Sequence, residues 1–234
     1  MDKKQLKSLW NQIDETLIKL KSRLKDKIRP NDISLIYSLI AKVPFKVLTI
    51  KEIYLHRTYD FAISSRLLLK ENRLVPAILL VRSIMETNSI FYRINELSSN
   101  AIKQKNPDEL DDEAMIVLCG TRDADEKEYK AKNILGYIDK IQKSYVDYRY
   151  IYDSLSEFVH PNHDGCLGTY GQIDETNNIT NLGFDLEYND LFYFDTVRFL
   201  LLNLDLFINE YDKCDEMLPD LIKLCEEKLK NNSN

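Results

Sequence analysis

The segment LVPAILLVRSIMETNSIFYRINEL, from Leu74 to Leu97, constrains the fold more than any other. At about 100° per residue it reads as one helix that is apolar almost all the way round. Val75, Ile78, Leu79, Met85, Ile90 and Leu97 flank a single polar line formed by Arg82, Glu86, Ser89 and Arg93, and Leu80, Ile84 and Phe91 lie opposite. A helix of this kind is an interior helix and needs other elements on every side. With only 6 Gly and 6 Pro in 234 residues, the chain has few turns to spend on short strands. The expectation is therefore an all-α helical bundle.

The remaining helices follow from periodicity and punctuation. Leu6, Trp10, Ile13, Leu17, Leu20 and Leu24 step by alternating fours and threes, which is a heptad seam on a helix over 3–29. Lysines occupy the other faces. This N-terminal amphipathic helix either packs on its own bundle or joins a partner helix or a second copy through residues 3–28. Pro30 ends it, and Asn31 or Asp32 caps a short helix, ISLIYSLIAKV. Residues 30–234 read as one helical-bundle domain. Its helices fall at about 49–71, 75–99, 131–143, 145–160, 187–211 and 213–230. Two segments differ. Residues 101–130, with NPDELDDEA and RDADEKE, form an acidic excursion that reads as a solvated charged face or insertion. Residues 165–185 hold four of the six glycines, and there LGTYGQI and NITNLGF pair as a short β-hairpin over DETN, or form an irregular loop.

Charge and hydropathy narrow the function classes. A net charge of −6 argues against broad electrostatic coating of nucleic acid or an anionic membrane. The start, MDKKQLKSLW, has no apolar signal core, and the longest purely apolar runs, such as PAILLV, are short. A cytoplasmic location with no membrane association is expected. The four cysteines, Cys119, Cys166, Cys214 and Cys225, lack the spacing of a disulfide framework and read as reduced thiols.

The chemistry-bearing residues gather in two places. Arg82 and Glu86 are four apart on the interior helix, where they can meet as an ion pair. Enclosed charges are costly unless paired, so the pair either fixes helix register or lines a site. In the second case Arg82 holds a phosphate or carboxylate and Glu86 orients it, with Arg93 further along the same line. The second place is YIYDSLSEFVHPNHDGC, Tyr150–Cys166. Tyr145, Tyr148, Tyr152, Leu155 and Val159 make its core stripe. Arg149, Asp153, Ser156 and His160 make a line beside it. His160 then ends a helix, where it is either a C-terminal stop before Pro161 or a general acid/base. Arg149 lies roughly 16 Å from His160 along the helix, so the arginine for such a site would be Arg82. His160, His163 and Cys166 have spacing that offers zinc two nitrogens and a sulfur, although no second ligand cluster accompanies them. Otherwise no cofactor is expected, and nucleotide-loop, zinc-protease and serine-hydrolase motifs are absent. The 14 tyrosines read mostly as core, with base stacking as the alternative.

With R-S-I-M-E at 82–86 and S-E-F-V-H-P-N at 156–162, the chain resembles a group of bacterial helical proteins. These carry an R-S-x-x-E helix followed by a later S-x-x-x-H-P helix end. Through them it is similar, over roughly residues 50–210, to the HEPN superfamily, helical-bundle domains found in toxins, antiphage systems and RNA-cleaving enzymes. The resemblance implies RNA or a nucleotide as ligand, a homo-oligomer, and metal-independent ribonuclease chemistry in bacterial defence. In that chemistry His160 would be the acid/base and Arg82 would stabilise the phosphorane. The family's R-x4–6-H motif is met only at its histidine: Asp153, Ser154 and Leu155 stand where the arginine would be. The other reading is a non-catalytic interaction scaffold with a structural ion pair.

Overall fold

A computed structural model describes residues 3–29, 42–121, 130–183 and 189–232. Among them are eight α-helices and one two-stranded sheet, so the chain is an all-α bundle with a small hairpin insertion. The helices are α1 (Lys3–Arg23), α2 (Lys42–Lys70), α3 (Leu74–Gln104), α4 (Asp108–Cys119), α5 (Ile134–Ile141), α6 (Tyr148–Glu157), the single turn α7 (Gly168–Tyr170) and α8 (Asn189–Asn232). A π-helical turn, His163–Leu167, precedes α7, and β1 (Gly171–Asp174) pairs antiparallel with β2 (Ile179–Leu182) after it. The short helix expected over ISLIYSLIAKV lies almost wholly outside the described residues.

α3 is the central helix, as its sequence demands. It packs along α2 and α8 and also meets α4, α5 and α6. Val81, Ile84, Met85, Phe91 and Ile94 are fully enclosed. α3 is long and apolar enough to cross a membrane by composition, and here its apolar faces are covered by the chain's own helices. The heptad seam of α1 is likewise used within the chain. Ile13, Leu17 and Leu20 are buried against α2 and α8, and Leu6, Trp10 and Leu24 pack at the core margin. α1 stops at Arg23, short of the expected Arg29, because neighbouring helices capture its end. The Arg23 guanidinium donates to Asp212, the Lys25 ammonium to Glu52, and the His56 ring meets the Lys25 carbonyl at 2.9 Å.

Two expectations need correction. Within the acidic excursion, residues 108–119 are a packed helix. Asp108, Glu109 and Asp111 sit in its first turn, where carboxylates favour the helix dipole, and Lys228 and Lys46 pair with two of them. Leu110 and Ala114 are buried beneath. RDADEKE lies outside the described residues. The two terminal helices are one: α8 runs unbroken through Pro219, because its buried stripe of Tyr211, Cys214, Leu221 and Cys225 continues past the expected break.

α3 and α8 run parallel, in a register written in buried amides. Asn88 donates to the Asn203 carbonyl and side chain, and two turns further on Asn95 donates to the Glu210 carbonyl and carboxylate. The partners are 115 residues apart in both rungs. A slip along the helix would leave both amides facing apolar groups, so these rungs specify one alignment.

A further buried carboxylate, Glu113 on α4, accepts from the Tyr137 hydroxyl at 2.6 Å and from the Lys132 ammonium. Burial pushes its carboxyl up, but Lys132 and Tyr137 together outweigh it and hold the group below the ordinary carboxylate range. A depressed folded value stabilises the protein above the unfolded value and loses that contribution as pH falls through it. Glu113→Gln is therefore expected to cost about 1–3 kcal/mol at neutral pH. The gap to the parent should begin to narrow in paired thermal melts as pH falls below the ordinary glutamate value, and close only below the depressed folded value.

Candidate functional site

The interior ion pair forms, and it sits between α3 and α6. Arg82 Nη1 lies 3.1 Å from Glu86 Oε1. Arg82 Nε donates to the Ser156 hydroxyl at 2.9 Å, and Nη2 donates to the Tyr152 hydroxyl. Tyr152 in turn donates to Glu86 Oε1 at 2.8 Å, so two hydrogen bonds and the ion pair close a ring. The guanidinium also stacks on the Tyr152 ring, 4.5 Å from its centre. The Ser156 hydroxyl itself donates a hydrogen bond to the Tyr152 carbonyl one turn back on α6. Each nitrogen of Arg82 thus has a different partner, and the plane of the guanidinium is set on all three sides.

The couple is not sealed: Arg82 and Glu86 each keep 24% of their side-chain surface in contact with solvent. Tyr152 beneath them is 1% exposed. Burial, followed by the hydrogen bond to Glu86, pushes the Tyr152 hydroxyl well above its ordinary pKa, so it stays a proton donor throughout the accessible pH range. Hydrogen bonds engage the Nε–H and one Nη2 N–H of Arg82, and Nη1 faces Glu86 as an ion pair.

The other expected residues go elsewhere. Arg93 turns to Glu96 and Glu109, at 2.6 and 2.7 Å. Arg149 is held on the surface by Asp139 and Asp153. Ser89, on the same sequence line as Arg82, is buried and bonds the Met85 carbonyl. His160 does not extend the line of Ser156, because α6 ends at Glu157 and not at 160. It lies on the exposed turn that follows, and no side-chain hydrogen bond ties it to the Arg82 ring among the described residues.

α6 gives way to a turn over residues 158–162. Asn162 is the keystone of the turn. Its amide donates to Glu157, its side-chain oxygen accepts from the Gly165 N–H at 3.0 Å, and its carbonyl accepts from the Cys166 N–H. Gly165 is pressed onto the end of α6 so closely that a Cβ there would stand 2.0 Å from the His160 carbonyl oxygen. The remaining members of the possible zinc set do not converge with His160. His163 pairs with Asp164 at 2.9 Å, and Cys166 is exposed. Among the described residues no three His, Cys, Asp or Glu side chains are grouped as metal ligands.

Sequence reasoning placed Tyr152 only in the core stripe and missed its hydroxyl as the bridge between Arg82 and Glu86. The available signal was its position one turn before Ser156. A second buried charge cluster was missed altogether. Lys51, 1% exposed, lies 3.3 Å from Glu52 and 3.9 Å from the centre of the Tyr211 ring, and it also pairs with Asp215. Tyr211 donates to Glu52, so the cluster ties α2 to α8. Burial pushes the neighbouring Cys214 thiol up to about 12, which makes it an inert core residue.

Comparison of the chain with family models, with curated proteins and with solved structures gives no match.

Proposed function

We propose that the chain is an HEPN-like bundle whose Arg82 site binds a phosphate group of RNA or a nucleotide, in a bacterial defence or toxin-like setting. The observation that supports this is the orientation of Arg82 by Glu86, Tyr152 and Ser156, with 24% of its side-chain surface left open to solvent. A guanidinium fixed before the ligand arrives loses little freedom on binding. The terminal N–H groups of a guanidinium suit phosphate oxygens. The exposed imidazole of His160, just beyond α6, is the group available to move a proton if RNA is cleaved, with Arg82 opposing the charge of the phosphorane.

The competing reading is a non-catalytic interaction scaffold. It is favoured by one feature of the same site: Glu86 already neutralises Arg82, so the ring of bonds can serve only to clasp α6 onto α3. One set of variants separates the two. On the first reading His160→Ala abolishes cleavage of a single-stranded RNA and leaves Tm within a degree or two of the parent. Arg82→Lys, which keeps the charge but loses the fork, weakens binding of a 5′-phosphorylated oligonucleotide about tenfold or more. If the parent neither binds nor cleaves RNA, and Arg82→Lys only lowers Tm, the scaffold reading stands.

A further inference from the structure

α8 and the start of α6 enclose a cavity of about 470 Å³ that the Arg82 site does not use. Its walls include Met85 of α3, Tyr148 and Ile151 of α6, and Phe199 and Leu206 of α8, with Tyr145 in the connection before α6. The size falls in the range of small-molecule sites, roughly 300–1,000 Å³. Its lining on α8 spans Phe199 to Asn209, about 15 Å of helix, which suits a compact ligand rather than an extended chain. The polar groups at its base are already satisfied. The Tyr148 hydroxyl donates to the Met85 carbonyl at 2.8 Å, and Asn203 is held by Asn88 and by the Phe199 carbonyl.

The rim is different. Leu202 is 50% exposed and Val146 84%, so large apolar side chains stand in water around the mouth. Asp205 of α8, exposed beside them, carries the one charge among the described residues of the lining. No hydrogen bond or ion pair engages its carboxylate among the described residues. Lys19 of α1 acts on it only through space, and Arg198 is turned to the Phe199 ring, 5.9 Å from its centre. Apolar surroundings push the Asp205 carboxyl above its ordinary value. No arginine or lysine lines the cavity, so an anion finds no partner in it.

We propose that this cavity binds a small organic cation, with its apolar body against Phe199, Ile151 and Leu202 and its protonated or quaternary nitrogen beside Asp205. Charge complementarity selects the class: a lone carboxylate stands at the mouth of an apolar recess. Tyr145, Tyr148 and Phe199 in the wall favour a cation over a neutral ligand, because the face of an aromatic ring carries partial negative charge. The net charge of −6 also draws cations to the surface. An apolar body over Leu202 and Val146 takes them out of water, while the nitrogen keeps one side in solvent, so neither charge is buried alone. Arg82, Glu86, Tyr152 and Ser156 do not line the cavity, so this site is independent of whatever Arg82 binds.

The test is a ligand-observed NMR titration of the full-length chain with naphthyl probes of one shape and different charge: naphthylmethylammonium, naphthylmethanol and naphthoate. The ammonium should bind with a dissociation constant of about 100 µM or below, the alcohol about tenfold more weakly, and the carboxylate not measurably at about 1 mM. Asp205→Asn should bring the ammonium down to the level of the alcohol and leave the alcohol unchanged. Leu202→Trp, which fills the mouth, should weaken both about tenfold or more. Both positions are exposed, so helix content by circular dichroism should be that of the parent. Glu15→Gln removes the same charge from an exposed position on α1 outside the cavity and should change nothing. A parent that binds none of the probes at about 1 mM overturns the proposal and leaves the rim to a protein partner. So does an ammonium that binds no more tightly than the alcohol, a preference that survives Asp205→Asn, or binding that Leu202→Trp leaves intact.

Discussion

Tyr152→Ala is expected to lower folding stability by about 4 kcal/mol, the largest effect of any single truncation near the candidate site. Two losses combine. The ring is almost fully enclosed between α3 and α6 and leaves a cavity the size of an aromatic side chain. Among the described residues the hydroxyl alone hydrogen-bonds both Arg82 and Glu86, so its removal strips a donor from the carboxylate and an acceptor from the guanidinium. Tyr152→Phe separates the two contributions. It keeps the ring and removes the bridge, and it should cost about 1–3 kcal/mol. Urea denaturation of the two variants beside the parent reads both numbers. A phenylalanine variant as stable as the parent would show that the hydroxyl is idle.

Gly165→Ala is expected to cost more than about 2 kcal/mol, well beyond what a surface loop substitution usually does. The reason is backbone against backbone. The new methyl would lie 2.0 Å from the His160 carbonyl oxygen and 3.0 Å from that of Phe158, both backbone atoms of the turn that follows α6, so the main chain itself must shift. Gly168→Ala is the matched control. Its methyl would meet mainly the exposed His163 ring, at 3.2 Å, and that ring can swing away. The pair of thermal melts should differ by several degrees. On the ribonuclease reading proposed above, the Gly165 change should also displace His160 and lower RNA cleavage further than stability alone explains.

Much of this architecture can be read from residue order, for definite physical reasons. Leu74–Leu97 is apolar on nearly every face, and only burial inside a bundle satisfies such a helix. Arg82 and Glu86 are one turn apart on a rigid element, so their meeting follows from helical geometry. The hairpin announces itself because period-two patterning flanks a polar turn. What remained hidden depends on long-range contacts. The end of α1 is decided by His56, Glu52 and Asp212, which are distant in sequence. The continuity of α8 is decided by the surface it covers, which overrides the local break signals and Pro219. The point where α6 stops depends on Asn162 and Gly165 folding back on it. Four residues of helical extrapolation, from Ser156 to His160, were enough to place an imidazole on the wrong line. Lys51 and Glu52, adjacent in a charged stretch, gave no hint that Asp215 and Tyr211 would enclose them.

The most direct test of the central claim is the nitrogen NMR signature of the Arg82 guanidinium. A side chain gripped at all three nitrogens cannot rotate freely about its Nε–Cζ bond. Arg82 should therefore give separate, slowly exchanging Nη resonances in the free protein. Both should shift when a 5′-phosphorylated RNA oligonucleotide is added. A single averaged Nη signal, or resolved signals that ignore the oligonucleotide at saturating concentration, would contradict the account.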